Sequence, residues 1–229
     1  METQSDSLLP LSGSQKVALK MAAKRYEEAL TVEAARYLLA RGIEKETAAT
    51  FRLGVVDDPD PAHFNYRGML SIPYLGHDNE PVAIRFRCMK NHDHRANYHG
   101  KYNSVAGGAN RLFNVGEIIR QAESGSSSIH LTEGEIDAMT LNQAGFPAIA
   151  APGAATWEQR HSVMLAGFDK VYIWGDPDSA GAEFVQKVEA GLRGSGVPIR
   201  LTEGDVNDVY VQGGREAIRE AFDRSVRPV

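Results

Sequence analysis

Ile129-His130-Leu131-Thr132-Glu133-Gly134-Glu135-Ile136-Asp137-Ala138 and, further along, Lys170-Val171-Tyr172-Ile173-Trp174-Gly175-Asp176-Pro177-Asp178-Ser179-Ala180-Gly181 are the two runs whose reading decides the fold. Each opens with a short apolar strand and ends on carboxylates, and a helix-like segment follows. An open parallel sheet delivers side chains to the carboxyl edge of its strands, where ligands sit. Two neighbouring strands of this kind place Glu133, Asp176 and Asp178 close together. Carboxylates so crowded repel one another, and a hard divalent cation is the usual offset. The plain alternative is a pair of acidic surface turns capping helices, because Asp and Glu favour helix starts.

The surrounding pattern is that of an α/β domain. Expected strands at 129–132, 148–150, 170–174 and 198–202 alternate with expected helices at 135–144, 157–165, 180–192 and 214–223, and Pro152-Gly153-Ala154 closes the second strand. Such alternation implies parallel pairing with helical crossovers. Gly134 and Gly181 stand at strand-to-helix turns, where backbone amides can approach an anion.

Upstream, residues 1–12 are polar and mixed, and helices are expected from Ser14, over Val32–Ala40 with Thr31 as cap, and over 45–51. These three helices are expected to form one small cluster. Strands at 69–74 and 82–87 flank a hairpin turn at Gly76-His77-Asp78-Asn79, with Arg85 and Arg87 on one face and Ile84 and Phe86 on the other. Residues 113–122 read as a helix. A Ser/Gly hinge at 123–128 puts the domain boundary between residues 125 and 126.

The chain has 229 residues and a formal net charge of -5, which argues against blanket binding of nucleic acid. The charge is unevenly spread, however. Residues 85–111 carry Arg85, Arg87, Lys90, Arg95, Lys101 and Arg111 against a single acid, Asp93. Tyr98 and Tyr102 interleave with them and can stack on bases. The single cysteine, Cys88, excludes a disulfide or a Cys-based zinc ribbon within the chain. His92, His94 and His99 with Asp93 suggest zinc, but no sulfur ligand is evident beside them, and phosphate contact or a solvated loop is the expected reading. No apolar run approaches a membrane span and no signal-peptide pattern opens the chain, so a cytoplasmic setting is the default.

The Glu133-Gly134-x-x-Asp137-Ala138 and Asp176-x-Asp178-x-x-Gly181 runs, in that order and on strand ends, resemble the Toprim domain of bacterial and phage DNA primases, type IA and type II topoisomerases and some nucleases. Further runs follow the N-terminal subdomain of the primase polymerase core in order. They are Tyr37-Leu38-x-x-Arg41-Gly42-Ile43, Arg67-Gly68-Met69-Leu70-Ser71-Ile72-Pro73, Pro81-Val82-Ala83-Ile84-Arg85-Phe86-Arg87, Lys101-Tyr102-Asn103-Ser104 and Arg111-Leu112-Phe113-Asn114. The resemblance implies a C-terminal Toprim domain, a parallel sheet flanked by helices, at residues 126–229. Before it, at 1–125, it implies an α+β primase-core subdomain that is basic and binds template and nucleotide.

By that resemblance Glu133, Asp176 and Asp178 are catalytic, and Glu133, Asp137, Asp176, Asp178 and Asp205 hold Mg2+ or Mn2+. Arg67, Arg85, Arg87, Lys101, Tyr102 and Asn103 face nucleic acid or nucleotide. The implied activity is that of a nucleotidyltransferase making RNA primers on single-stranded DNA from ribonucleoside triphosphates. A replicative helicase or a separate zinc-bearing chain is the implied partner, since neither a zinc ribbon nor a helicase-binding domain is evident. Asp205-Val206-Asn207-Asp208 resembles the Lys-Asp-x-Asn run of phage primase-helicases, with Gly204 in place of the Lys. The alternatives are a Toprim nuclease using the same carboxylates and a non-catalytic nucleic-acid-binding module with the primase fold. The chain is too short for the gate domains of a type IA topoisomerase.

Overall fold

A computed structural model describes residues 10–105, 108, 110–151, 153 and 156–227. Residues 1–9 of the polar start, Ala109 at the end of the expected basic loop, and Pro152 and Ala154 of the expected turn lie outside them. The chain divides into two compact units, Met1–Tyr37 with Ala48–Asn110 and Leu38–Thr47 with Arg111–Val229. The division falls inside two helices, α2 (Val32–Ala40) and α3 (Lys45–Thr50). The three helices expected as one cluster are therefore shared between the units. The expected boundary at 125/126 falls inside the second unit, on the connection after the helix at Gly116–Glu123.

The first unit is an antiparallel sheet with one helix laid on it. The helix α1 (Gly13–Glu28) starts in a capping box: Ser12 Oγ accepts from the Gln15 amide at 3.2 Å, and the Gln15 side chain accepts from the Ser12 amide at 2.8 Å. It buries Ala22, Ala23 and Tyr26. The strands β1 (Gly54–Val55), β2 (Leu70–Leu75), β3 (Pro81–Arg87) and β4 (Tyr102–Ser104) pair in sequence order, all antiparallel. The hairpin turn between β2 and β3 stands where the sequence puts it, closed by the Gly76 amide on the Glu80 carbonyl at 2.8 Å with Asn79 left-handed at φ 60°. Ile84 and Phe86 enter the core with Tyr26, Val56, Met69 and Cys88.

The second unit is a four-stranded parallel sheet in the order β6-β5-β7-β8, where β5 is Ser128–Thr132, β6 Ala148–Ala150, β7 Lys170–Gly175 and β8 Gly196–Arg200. The helices are α4 (Gly116–Glu123), α5 (Glu135–Gln143), α6 (Gln159–Met164), α7 (Ser179–Leu192) and α8 (Val206–Val226). Successive side chains of β5 and β7 point to opposite faces. Ile129, Leu131, Val171 and Ile173 pack with Phe184, Val188 and Leu192 of α7. His130, Tyr172 and Trp174 pack on the other face against Phe146 and Phe222. The α/β class expected from the alternation is what the chain adopts. One helix runs longer than expected: α8 begins at Val206, not 214, and passes a break at Gly214 (φ 64°, ψ -156°). Among the described residues no helix is long and apolar enough to cross a membrane.

Candidate active site

β5 and β7 are neighbours in register, with Thr132 opposite Trp174. Glu133 leaves the end of β5, and Asp176 follows the last residue of β7. Both carboxylates therefore emerge at the same edge, the carboxyl edge of the sheet. Glu133 Oε1 accepts the backbone N–H of Asp176 at 3.3 Å. Asp178 is the N-cap of α7, and its Oδ1 accepts the Gly181 amide at 2.8 Å. Gly181 is dictated by closeness: a Cβ there would lie 2.1 Å from the Asp176 carbonyl oxygen. The Asp-x-Asp-x-x-Gly spacing thus encodes a tight strand-to-helix turn.

Electrostatics mark this place. Glu133 is pushed up to about 7, first by burial, then by the negative charge of Asp176, with a smaller push from Asp178, while the hydrogen bond from the Asp176 amide works against the rise. A cation among these groups would remove both causes of repulsion. The donor set is all carboxylate oxygen, which suits magnesium or manganese and not a soft metal.

The other two expected metal ligands, Asp137 and Asp205, also accept backbone hydrogen bonds. Asp137 Oδ1 accepts the backbone N–H of Asn207 in the first turn of α8 at 3.0 Å. The buried Asn207 side chain donates to the Arg41 carbonyl at 2.6 Å and to Thr140 Oγ1 at 3.0 Å. Asp205 caps α8, accepting from the Asp208 amide at 2.7 Å in a reciprocal capping box. The charges that raise Glu133 are those of Asp176 and Asp178. Gly204 stands at φ 67° with a Cβ position 2.7 Å from Asp208 Cβ, so the turn admits a lysine there only with strain.

The basic residues of the first unit also have a defined arrangement. Arg87 pairs with Tyr102, Phe86 with Asn103 and Arg85 with Ser104 across β3 and β4. The Tyr102 ring has the Arg85 guanidinium 4.8 Å from its centroid and that of Arg87 at 4.6 Å. Arg87 donates to the hydroxyls of Tyr37 and Tyr102 and is only 3% exposed. It was expected to face nucleic acid beside Arg85, but it is packed between two phenols. Asn103 closes a turn, its side chain donating to the Gly100 carbonyl at 2.8 Å and accepting from the Gly100 amide at 3.0 Å. Arg67, Lys90, Arg95 and Lys101 are exposed, and Arg85 and Tyr102 half-buried. Arg111 belongs to the second unit, so it leaves the basic set of the first. The sequence reading also missed Cys88 as a neighbour of the histidine-rich loop.

Comparison with known proteins agrees with this fold. A Toprim-like family model matches residues 130–210. The Gene 57 protein of Mycobacterium phage D29 is 32% identical over 160 residues, 68% of this chain and 98% of the phage protein. Among solved structures, the RNA polymerase domain of Mycobacterium tuberculosis primase DnaG superposes with a TM-score of 0.76 at 22% identity, over 93% of this chain and 84% of that one. A structure of the zinc-binding and RNA polymerase domains of the Aquifex aeolicus primase gives 0.74 at 21% identity over 94% of this chain, which spans 62% of that one. A DnaG primase catalytic domain bound to single-stranded DNA gives 0.71 at 17% identity, with coverage of 92% and 78%. The chain belongs to the family of the phage Gene 57 protein, and its residues 130–210 form a Toprim-like domain. Its fold, at these identities, is that of the DnaG catalytic core.

Proposed function

We propose that this protein is a DNA primase catalytic core that makes RNA primers on single-stranded DNA in the bacterial cytoplasm. The observation that carries the reading is the convergence of Glu133, Asp176 and Asp178 at one sheet edge, with Glu133 held near neutrality. Glu133, Asp176 and Asp178 would hold Mg2+ or Mn2+, with Asp137 and Asp205 supporting the neighbouring turn from α8. Held by these residues, such a cation would supply charge neutralisation for a transferring phosphate and its leaving group. Glu133 would hold the cation or, standing at about 7 while no cation is bound, take up and release a proton near physiological pH. Asp178 can serve only while α7 stays docked, because the same carboxylate caps that helix.

In the first unit, Arg67, Arg85 and Lys101 would contact template phosphates and Tyr102 and Asn103 would help seat template or nucleotide. Arg87 would act through Tyr102 by fixing its ring. A replicative helicase or a separate zinc-bearing chain would supply loading and template choice. One assay tests the whole reading. The protein is incubated with labelled single-stranded DNA, ribonucleotides and manganese. Ribonucleotide-dependent extension is expected; cleavage of the DNA, or retention without extension, overturns the assignment.

A further inference from the structure

The β3–β4 connection gathers four groups of metal-ligand type. Cys88, His92, His94 and His99 each offer one ligand atom, and these atoms all lie within 4.8 Å of one another. Cys88 Sγ and His92 Nε2 are 3.5 Å apart. The three imidazole centroids are separated by 4.7, 5.0 and 5.3 Å. Tetrahedral zinc, with bonds of about 2.3 Å to sulfur and about 2.0 Å to nitrogen, holds its ligand atoms about 3.3–3.6 Å apart. One edge of that tetrahedron is already in place, and the others close by a shift of about an ångström in loop side chains.

The frame around these groups is built. Cys88 is buried and fixed to the sheet, its amide donating to the Lys101 carbonyl at 2.9 Å and extending the β3/β4 ladder. His99 sets its Nδ1 against the Gly100 carbonyl at 2.9 Å; with a proton on Nδ1, the Nε2 lone pair is presented for coordination. Asp93 shapes the turn between the ligands, its Oδ1 accepting the Arg95 and Ala96 amides at 2.9 and 3.2 Å. An independent sign comes from His94, whose Nδ1 is buried with no hydrogen-bond partner among the described residues. A buried imidazole nitrogen without a partner is costly, and coordination removes that cost.

The loop also needs a staple. Between Cys88 and Lys101 it has no strand or helix, and its one large aromatic, Tyr98, is 98% exposed. A connection of this length without its own apolar core is held by something else when it is ordered. A cluster of imidazoles within contact of one another is repulsive if protonated, and a bound cation takes the place of those protons.

We propose that Cys88, His92, His94 and His99 bind one zinc ion that fixes this loop, and with it Lys90, Arg95 and Lys101, on the antiparallel sheet. A thiolate with three imidazoles is a donor set for zinc and not for the hard cation of the carboxylate site. Binding releases the Cys88 thiol proton, so affinity rises with pH. The site is closed by four protein ligands, which makes it structural.

The test uses the untagged full chain. Metal analysis after dialysis against nanomolar free zinc should give about one zinc per chain, and Cys88→Ser should lose it. Replacement by cobalt should give intense tetrahedral visible bands and a thiolate-to-cobalt charge-transfer band in the near ultraviolet. His94→Ala should weaken and shift the visible bands, while Asp176→Asn, in the other unit, should leave stoichiometry and spectrum unchanged. Because these spectra are read on the unmodified protein, a folding failure of Cys88→Ser does not blunt the test. An unmodified chain without stoichiometric zinc, or a cobalt spectrum of octahedral type without the charge-transfer band, overturns the proposal.

Discussion

Glu133 Oε1 accepts the backbone N–H of Asp176 at 3.3 Å, joining the ends of two adjacent parallel strands. That bond favours the ionised carboxylate, yet burial and the charges of Asp176 and Asp178 win, and the group stands at about 7 against an ordinary 4.5. The native protein thus holds a proton that the unfolded chain has already released. The resulting stability is present below about pH 4.5 and is lost as pH rises through about 7. In magnesium- and manganese-free buffer, Glu133→Gln should be more stable than the unmodified protein at pH 8, by on the order of 1 kcal/mol once solvent screening is allowed for. Urea denaturation from pH 5 to pH 8 reads the difference, which should shrink toward the acid end. Equal pH slopes in the two proteins would contradict the assignment.

His130 bends the pH profile the other way. It accepts the Trp174 indole N–H at 2.9 Å within an aromatic cluster, and burial pushes it down to about 3. Here the unfolded chain binds the proton more readily, so the contribution is present above about 6.5 and is lost as pH falls toward 3. At this depth of burial the loss amounts to roughly a few kcal/mol. His130→Gln should lower stability at pH 7 and flatten the acid limb below pH 6, read by thermal melting. An acid limb of unchanged steepness would remove His130 as its cause.

Asn207 ties the start of α8 to its surroundings. Its amide serves Asp137, and its side chain serves the Arg41 carbonyl and Thr140. Asn207→Ala leaves a half-buried carbonyl and the buried Thr140 hydroxyl with a lost partner and should cost roughly 1–3 kcal/mol. Asn207→Asp should cost more, because it sets a carboxylate beside Asp137 and replaces a donor with an acceptor. Denaturant midpoints of the two variants check the order, and Asp less damaging than Ala would overturn it.

The two arginines of β3 should separate in a salt titration of DNA binding. If Arg85 and Lys101 contact phosphates, Ala at either should flatten the dependence of affinity on salt by about one counterion's worth. Arg87 is spent between Tyr37 and Tyr102. Arg87→Ala should therefore lower stability by on the order of 2 kcal/mol through lost packing, with a smaller change in slope. A slope change as large as that of Arg85→Ala, with no loss of melting temperature, would put Arg87 on the DNA.

The parallel sheet and its acidic edge were legible because strand ends, turn glycines and carboxylates lie side by side in sequence. Asp178 was readable as a carboxylate but not as the cap of α7, a role that depends on how far the helix reaches back. The fate of Arg87 was hidden for a related reason. Strand alternation assigns a face, but burial of that face depends on Tyr37, supplied from a helix far upstream. The early start of α8 was masked by the polar Asp205-Val206-Asn207-Asp208, which reads as a turn until Asp205 is seen capping Asp208. Cys88 was set apart from the histidines because only the folding of the loop brings His92, His94 and His99 back against its sulfur.

Asp178 separates chemistry from folding at the proposed metal site. Its carboxylate caps α7, and Asn is an equally good cap. Asp178→Asn should thus keep α7 and the fold while removing one of the charges that repel Glu133, whereas Asp178→Ala should cost about 1 kcal/mol of stability by losing the cap. Manganese should raise the melting temperature of the unmodified protein by mass action, more at pH 8 than at pH 6, because the proton on Glu133 competes with the cation. Asp178→Asn and Asp176→Asn should lose most of that response, and primer synthesis with it. Retention of single-stranded DNA should survive, since the basic residues lie in the other unit. A full manganese response together with full synthesis in Asp178→Asn would show that the cation is held by other groups.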